Sequence, residues 1–131
     1  ADATAERVRA AGVARVGLLG TRFTMEEDFY RGRLQSRHGL EVLTPPAEQR
    51  ALVHGVIYGE LCLGRVLDDS RKAFQQVVTD LVARGAQGVI LGCTEIGLLL
   101  GPGDAPVPLF DTAAIHAEAA AEFALSGSPR A

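Results

Sequence analysis

The feature that most constrains this sequence is an alternation of short apolar runs, most of them bounded by glycine, with longer stretches at helical spacing. Arg15-Val16-Gly17-Leu18-Leu19-Gly20, Leu40-Glu41-Val42-Leu43 and Gly88-Val89-Ile90-Leu91-Gly92 are too short for buried helices and rich in aliphatic residues. Each predicts a strand, and the first and third read as buried ones. A fourth run, Val107-Pro108-Leu109-Phe110, carries a proline that cannot donate to a central ladder, so it belongs at a sheet edge. Strands that alternate with helices through short turns require crossover connections. The predicted fold class is therefore α/β: a doubly wound, four-stranded parallel sheet with helices on both faces.

The intervening segments supply those helices. A first helix covers Ala1 to Ala11, capped by Asp2 or Thr4 and stopped by Gly12. Because that helix is already under way at Ala1, the start reads as a cut within a longer chain. Thr21 to Thr24 is expected to turn into a helix over Met25 to Arg37, with Met25, Phe29 and Leu34 on its buried face. Pro45-Pro46 sets the entry to a helix from Ala47 to about Leu63. Within it, Gly55 and Gly59 each cost about 1 kcal/mol relative to alanine, which suggests close packing or a site. Asp68 or Ser70 caps the next helix, whose stripe of Phe74, Val77, Val78, Leu81 and Val82 is the clearest in the chain, and Gly85 ends it. Asp111 or Thr112 caps a last, alanine-rich helix through Leu125, and Ser126 to Ala131 is expected to fray. With no repeat and no linker, residues 1–131 read as a single α/β domain.

Composition narrows the function. A net charge of −3 with dispersed Lys and Arg lacks the basic footprint of a nucleic-acid binder. No apolar run approaches the roughly 20 residues of a bilayer span, so no membrane partner is expected. The cysteines, Cys62 and Cys93, are only two and far apart, which gives no disulfide framework and no metal-ligand spacing, and suits a reducing, cytoplasmic setting. The Gly-x-Gly-x-x-Gly and Gly-x-x-x-x-Gly-Lys patterns of nucleotide sites are also missing.

Three strand ends carry the chemistry: Gly20-Thr21-Arg22-Phe23-Thr24, Gly92-Cys93-Thr94-Glu95 and Phe110-Asp111-Thr112. In a parallel sheet they gather on one edge, where ligands of this architecture bind. Cys93, at a strand-to-helix junction, is either a thiol activated by helix-start amides, with its pKa lowered, or a small packed hydrophobe. Thr94 and Glu95 read equally as site residues or as a cap and a first-turn acid. Cys62, between Leu61 and Leu63, reads as packing, and His38, His54 and His116 as surface or capping residues. Asp111, Asp68 and Asp69 read as helix-start residues.

Four ordered motifs together resemble the aspartate/glutamate racemase family. They are Val16-Gly17-Leu18-Leu19-Gly20-Thr21-Arg22-Phe23-Thr24-Met25, Ile57-Tyr58-Gly59-Glu60-Leu61-Cys62-Leu63-Gly64, Gly88-Val89-Ile90-Leu91-Gly92-Cys93-Thr94-Glu95-Ile96 and Pro108-Leu109-Phe110-Asp111-Thr112. The resemblance implies a PLP-independent amino-acid racemase without a cofactor, built from two similar α/β domains with the active site between them. Of these, the chain resembles the carboxyl-terminal half, with Ala1 at the boundary between halves. It implies that Cys93 is the second catalytic thiol, that Thr94 binds the substrate α-carboxylate or amino group, that Thr21 helps bind the carboxylate, and that Glu95 supports the site. The implied partners are a small amino acid such as aspartate or glutamate, and either a second copy of the chain or the missing amino-terminal half. Two positions depart from the pattern: Cys62 stands where some aspartate racemases carry a lysine, and Gly59 where a glutamate is common. The alternative to a racemase is a non-catalytic domain that self-associates or binds a small carboxylate.

Overall fold

The computed structural model describes residues 2–126. Ala1 and the expected frayed segment 127–131 lie outside the described residues, and Ser126 closes the last helix. The elements run α1 (Asp2–Ala10), β1 (Arg15–Leu19), α2 (Arg22–Glu26), α3 (Asp28–His38), β2 (Glu41–Leu43), α4 (Ala47–Gly59), α5 (Asp68–Ala83), β3 (Val89–Leu91), α6 (Ile96–Leu99), β4 (Leu109–Asp111) and α7 (Thr112–Ser126). Short 3-10 turns occupy Leu61–Leu63 and Pro102–Asp104. The strands form one four-stranded sheet in the order β2-β1-β3-β4, and every pairing is parallel. Pro108 lies just ahead of β4, which is an edge strand as its missing N–H requires.

The period-2 geometry of the strands divides the interior into two cores. Val16, Leu18, Ile90 and Phe110 face one side, where they meet Ala5 and Val8 of α1, Leu34 of α3 and Ile115 of α7. Leu19, Val89 and Leu91 face the other, against Met25 of α2, Val53 and Ile57 of α4, Phe74, Val78 and Leu81 of α5, and Ile96 and Leu99 of α6. Gly17 belongs to this second face. A Cβ there would lie 2.9 Å from Leu81 Cδ1, so its absence lets α5 settle onto β1.

Several local expectations change. The helix expected over Met25 to Arg37 is two helices, because Glu27 adopts an extended conformation (φ −81°, ψ 144°) that ends α2 and starts α3. That break resets the helical phase: Met25 and Leu34 remain buried, whereas Phe29 is 83% exposed. The helix from Ala47 stops at Gly59, and a 3-10 turn carries Leu61–Leu63. Gly55 and Gly59 face open space, with nothing within 4 Å of a Cβ, so close packing does not explain them. Neither expected cap of α5 operates. Leu67 holds the cap position without a side-chain bond, and the Ser70 hydroxyl donates to Glu60 instead. The Asp2 carboxylate accepts from Arg33 and His38 of α3, contacts that hold it well below the usual carboxylate range, the His38 bond foremost.

Candidate active site

The strand order brings the carboxyl ends of β1 and β3 side by side. Leu19 is paired with Leu91, and the Gly92 N–H donates to the Leu19 carbonyl at 2.7 Å. From β1 the chain crosses to β2 on one side, and from β3 it crosses to β4 on the other. The gap between the diverging connections is the crevice in which open α/β sheets place ligands. Gly92 permits the approach. A Cβ on it would lie 3.0 Å from the Leu19 carbonyl oxygen and 3.1 Å from Thr24 Cγ2.

At the end of β3 the constellation is local. The Cys93 thiol donates to Glu95 Oε2 at 2.8 Å, and the Thr94 hydroxyl donates to the same oxygen at 2.8 Å. The bond from Cys93, followed by that from Thr94, holds the Glu95 carboxyl below its ordinary range. Cys93 is half-buried against the larger core. That burial first, and the Glu95 carboxylate second, push the thiol up to about 11. The expectation of a thiol lowered by helix-start amides is thus reversed. The helix that follows is a single turn, Ile96–Leu99, and a carboxylate rather than a free amide receives the thiol.

The end of β1 is held differently. Thr21 occupies the cap position of α2, where its Oγ1 accepts from the Thr24 N–H at 3.4 Å and lies 3.3 Å from Thr24 Oγ1. The Arg22 N–H donates to Nδ1 of His54 on α4 at 2.9 Å. The His54 ring sits 4.7 Å from that of Tyr58, tilted by 50°. His54, which reads from sequence as a surface or capping residue, is therefore an anchor of the β1 loop. No local pattern signals a contact across 32 residues. Thr21 and the Cys93–Glu95 group share the sheet edge, but no hydrogen bond joins them among the described residues.

The third strand end is structural. Asp111 Oδ1 accepts from the Ala113 and Ala114 amides, the cap expected of it, and the Thr112 hydroxyl donates to the Leu91 carbonyl at 3.0 Å. Cys62 is exposed on the 3-10 turn rather than packed inside a helix. A hollow of about 300 Å³ lined by Phe23, Thr24, Glu27, Phe29 and Tyr30 shares Thr24 with the β1 loop and includes neither Cys93, Thr94 nor Glu95. Among the described residues, no group of three or more His, Cys, Asp or Glu could hold a metal ion, and no helix is long and apolar enough to cross a membrane.

Comparison with known proteins bears on this edge. Residues 1–120 match the sequence model of a family described as Asp/Glu/Hydantoin racemase. An Asp/Glu racemase-like protein from Yersinia pestis superposes with a TM-score of 0.91 at 55% identity, over 95% of this chain and 54% of its own. An aspartate racemase homologue from Pyrococcus horikoshii gives 0.86 at 38% identity, over 94% and 54%. The Picrophilus torridus aspartate racemase, at 20% identity and a TM-score of 0.61, bears on the fold alone. This chain spans about half the length of these proteins. A match through both strand ends, at identities well above those that report fold alone, means that the chain belongs to the Asp/Glu/Hydantoin racemase family.

Proposed function

We propose that this chain is one domain, the carboxyl-terminal half, of a PLP-independent amino-acid racemase, and that Cys93 is its acid/base group at the amino-acid Cα. The observation that carries this reading is the Cys93 thiol bonded to Glu95 at the carboxyl edge of β3, beside the loop of Thr21. Inversion at Cα needs a base on one face and an acid on the other. A thiol pushed up to about 11 rests in its protonated form at neutral pH, ready to act as the acid. A base on the far face takes the Cα proton, and the electron pair left behind delocalises into the substrate carboxylate. The S–H bond of Cys93 then breaks, its proton forms the new C–H bond, and a thiolate remains. In the reverse direction the thiolate removes the Cα proton, which restores the S–H bond, and the protonated far-face group delivers its proton to the opposite side of Cα. Thr94 binds the α-carboxylate or amino group, and Thr21 helps bind the carboxylate.

The group on the far face comes from a second copy of the chain or from an amino-terminal half. The exposed Phe23, Leu63 and Leu98 supply apolar surface for that contact, on α2, the 3-10 turn and α6. The test is incorporation of solvent deuterium at Cα of L- and D-aspartate and glutamate, with the solution mass measured on the same sample. Exchange that disappears in Cys93→Ala supports the reading. No exchange with any of the four at high protein concentration removes it for this chain alone, and leaves a domain that at most binds a small carboxylate.

A further inference from the structure

We infer that His54 is a positioning residue: it holds the Thr21–Thr24 loop in the form that receives the substrate carboxylate. The inference rests on the reading of Thr21 given above, but its structural ground is separate. The loop leaves β1 at Gly20 and enters α2, a helix of five residues whose first backbone donors have no partner within the helix itself. Thr21 Oγ1 takes the Thr24 N–H through a long bond of 3.4 Å, and this local contact is the weaker of the loop's two side-chain anchors. The stronger comes from α4, where His54 Nδ1 takes the Arg22 N–H at 2.9 Å. A ring nitrogen that accepts from a backbone amide carries no proton, so the neutral ring bears its proton on Nε2. The tilted contact with Tyr58, one helical turn on, restrains the ring plane. Val53 and Ile57, flanking this face of α4, are buried in the same core as Met25 of α2, so the helix that carries the imidazole is fixed against the helix that the loop enters. His54 thus ties the residue next to Thr21 to a rigid part of the core.

Two variants separate this role from general stability. His54→Ala removes the acceptor, whereas His54→Asn keeps an oxygen near the position of Nδ1. The readouts on the 131-residue chain are the Arg22 amide exchange rate, with the Ile90 amide as an internal reference, and the affinity for aspartate. In His54→Ala, Arg22 exchange is expected to accelerate about five- to tenfold, the factor that one hydrogen bond carries, with Ile90 unchanged. Aspartate affinity is expected to fall by a similar factor of about five to ten, and His54→Asn to recover most of both. Unaltered Arg22 exchange in His54→Ala overturns the inference whatever the ligand does. Equal aspartate affinity in His54→Ala and in a parent that binds also overturns it. A parent that shows no aspartate-induced shift at Thr21 instead defeats the carboxylate reading. Selective loss of Arg22 protection, restored by asparagine, then still supports His54 as the anchor of the loop.

Discussion

The ends of β1 and β3 sit side by side on one sheet edge, yet they are held in opposite ways. At β3 the three chemical groups are consecutive, and Cys93 and Thr94 converge on one oxygen of Glu95. At β1 the local contact is long, and a histidine 32 residues away on another helix supplies the short one. A constellation closed over three residues keeps its internal geometry wherever its strand goes. A loop held from a distant helix is only as well placed as the packing between the two. The sheet edge therefore combines a self-contained group of thiol, hydroxyl and carboxylate with a neighbouring loop that depends on tertiary structure.

Four changes probe that contrast. Gly92→Ala should have the largest effect, because its Cβ presses on the Leu19 carbonyl and on Thr24 and drives the two ends apart. A loss of about 1–3 kcal/mol in urea unfolding is expected, typical of overpacking. Thr112→Val removes the hydroxyl bond to the Leu91 carbonyl beneath β3 and should cost about 1 kcal/mol by the same measurement. Thr21→Val removes the weaker anchor at β1, and about 0.5 kcal/mol, the low end for a cap, is expected in thermal unfolding. Glu95→Gln should change stability least and thiol chemistry most. Loss of the carboxylate lets the Cys93 pKa fall from about 11, although burial keeps it above the ordinary 9.0. Alkylation of Cys93 at pH 8.5, followed by peptide mass mapping to separate it from exposed Cys62, should accelerate several-fold. An unchanged rate would remove Glu95 from the control of the thiol.

The same thiol sets a stability trend with pH. Its folded value is raised, so the unfolded chain gives up the proton first as pH rises. The contribution is complete below about 9 and is lost as pH climbs through about 11. Glu95 has the opposite sign. Its folded value is lowered, so its contribution is present above the ordinary carboxylate value and is lost as pH falls through the folded one. Unfolding midpoints of the parent and of Cys93→Ser, compared from neutral pH to 11, should diverge only at the alkaline end.

Much of the fold is legible in one dimension. The four apolar runs become the four strands, the Phe74 to Leu81 stripe is buried, Pro108 precedes an edge strand, and Asp111 caps α7. Each of these follows from residue type and a spacing of a few positions. The failures share a cause as well. Phe29 falls outside because one extended residue, Glu27, interrupts a pattern that periodicity alone carries through. Cys62 is exposed because α4 ends at Gly59, three residues before it, and a 3-10 turn carries Cys62 at the surface.

For the site, sequence by itself determined which groups are adjacent: a thiol, a hydroxyl and a carboxylate in three consecutive residues after a buried strand. It also determined that Thr21 follows a strand of the same parallel sheet. Tertiary structure alone decided that β1 and β3 are neighbours, that His54 reaches Arg22, and that the thiol is raised rather than lowered. The physical reason is the same in each case. Strand order, a contact between distant residues and the desolvation of one sulfur all depend on which surfaces meet when the chain closes on itself, and local spacing holds no record of that.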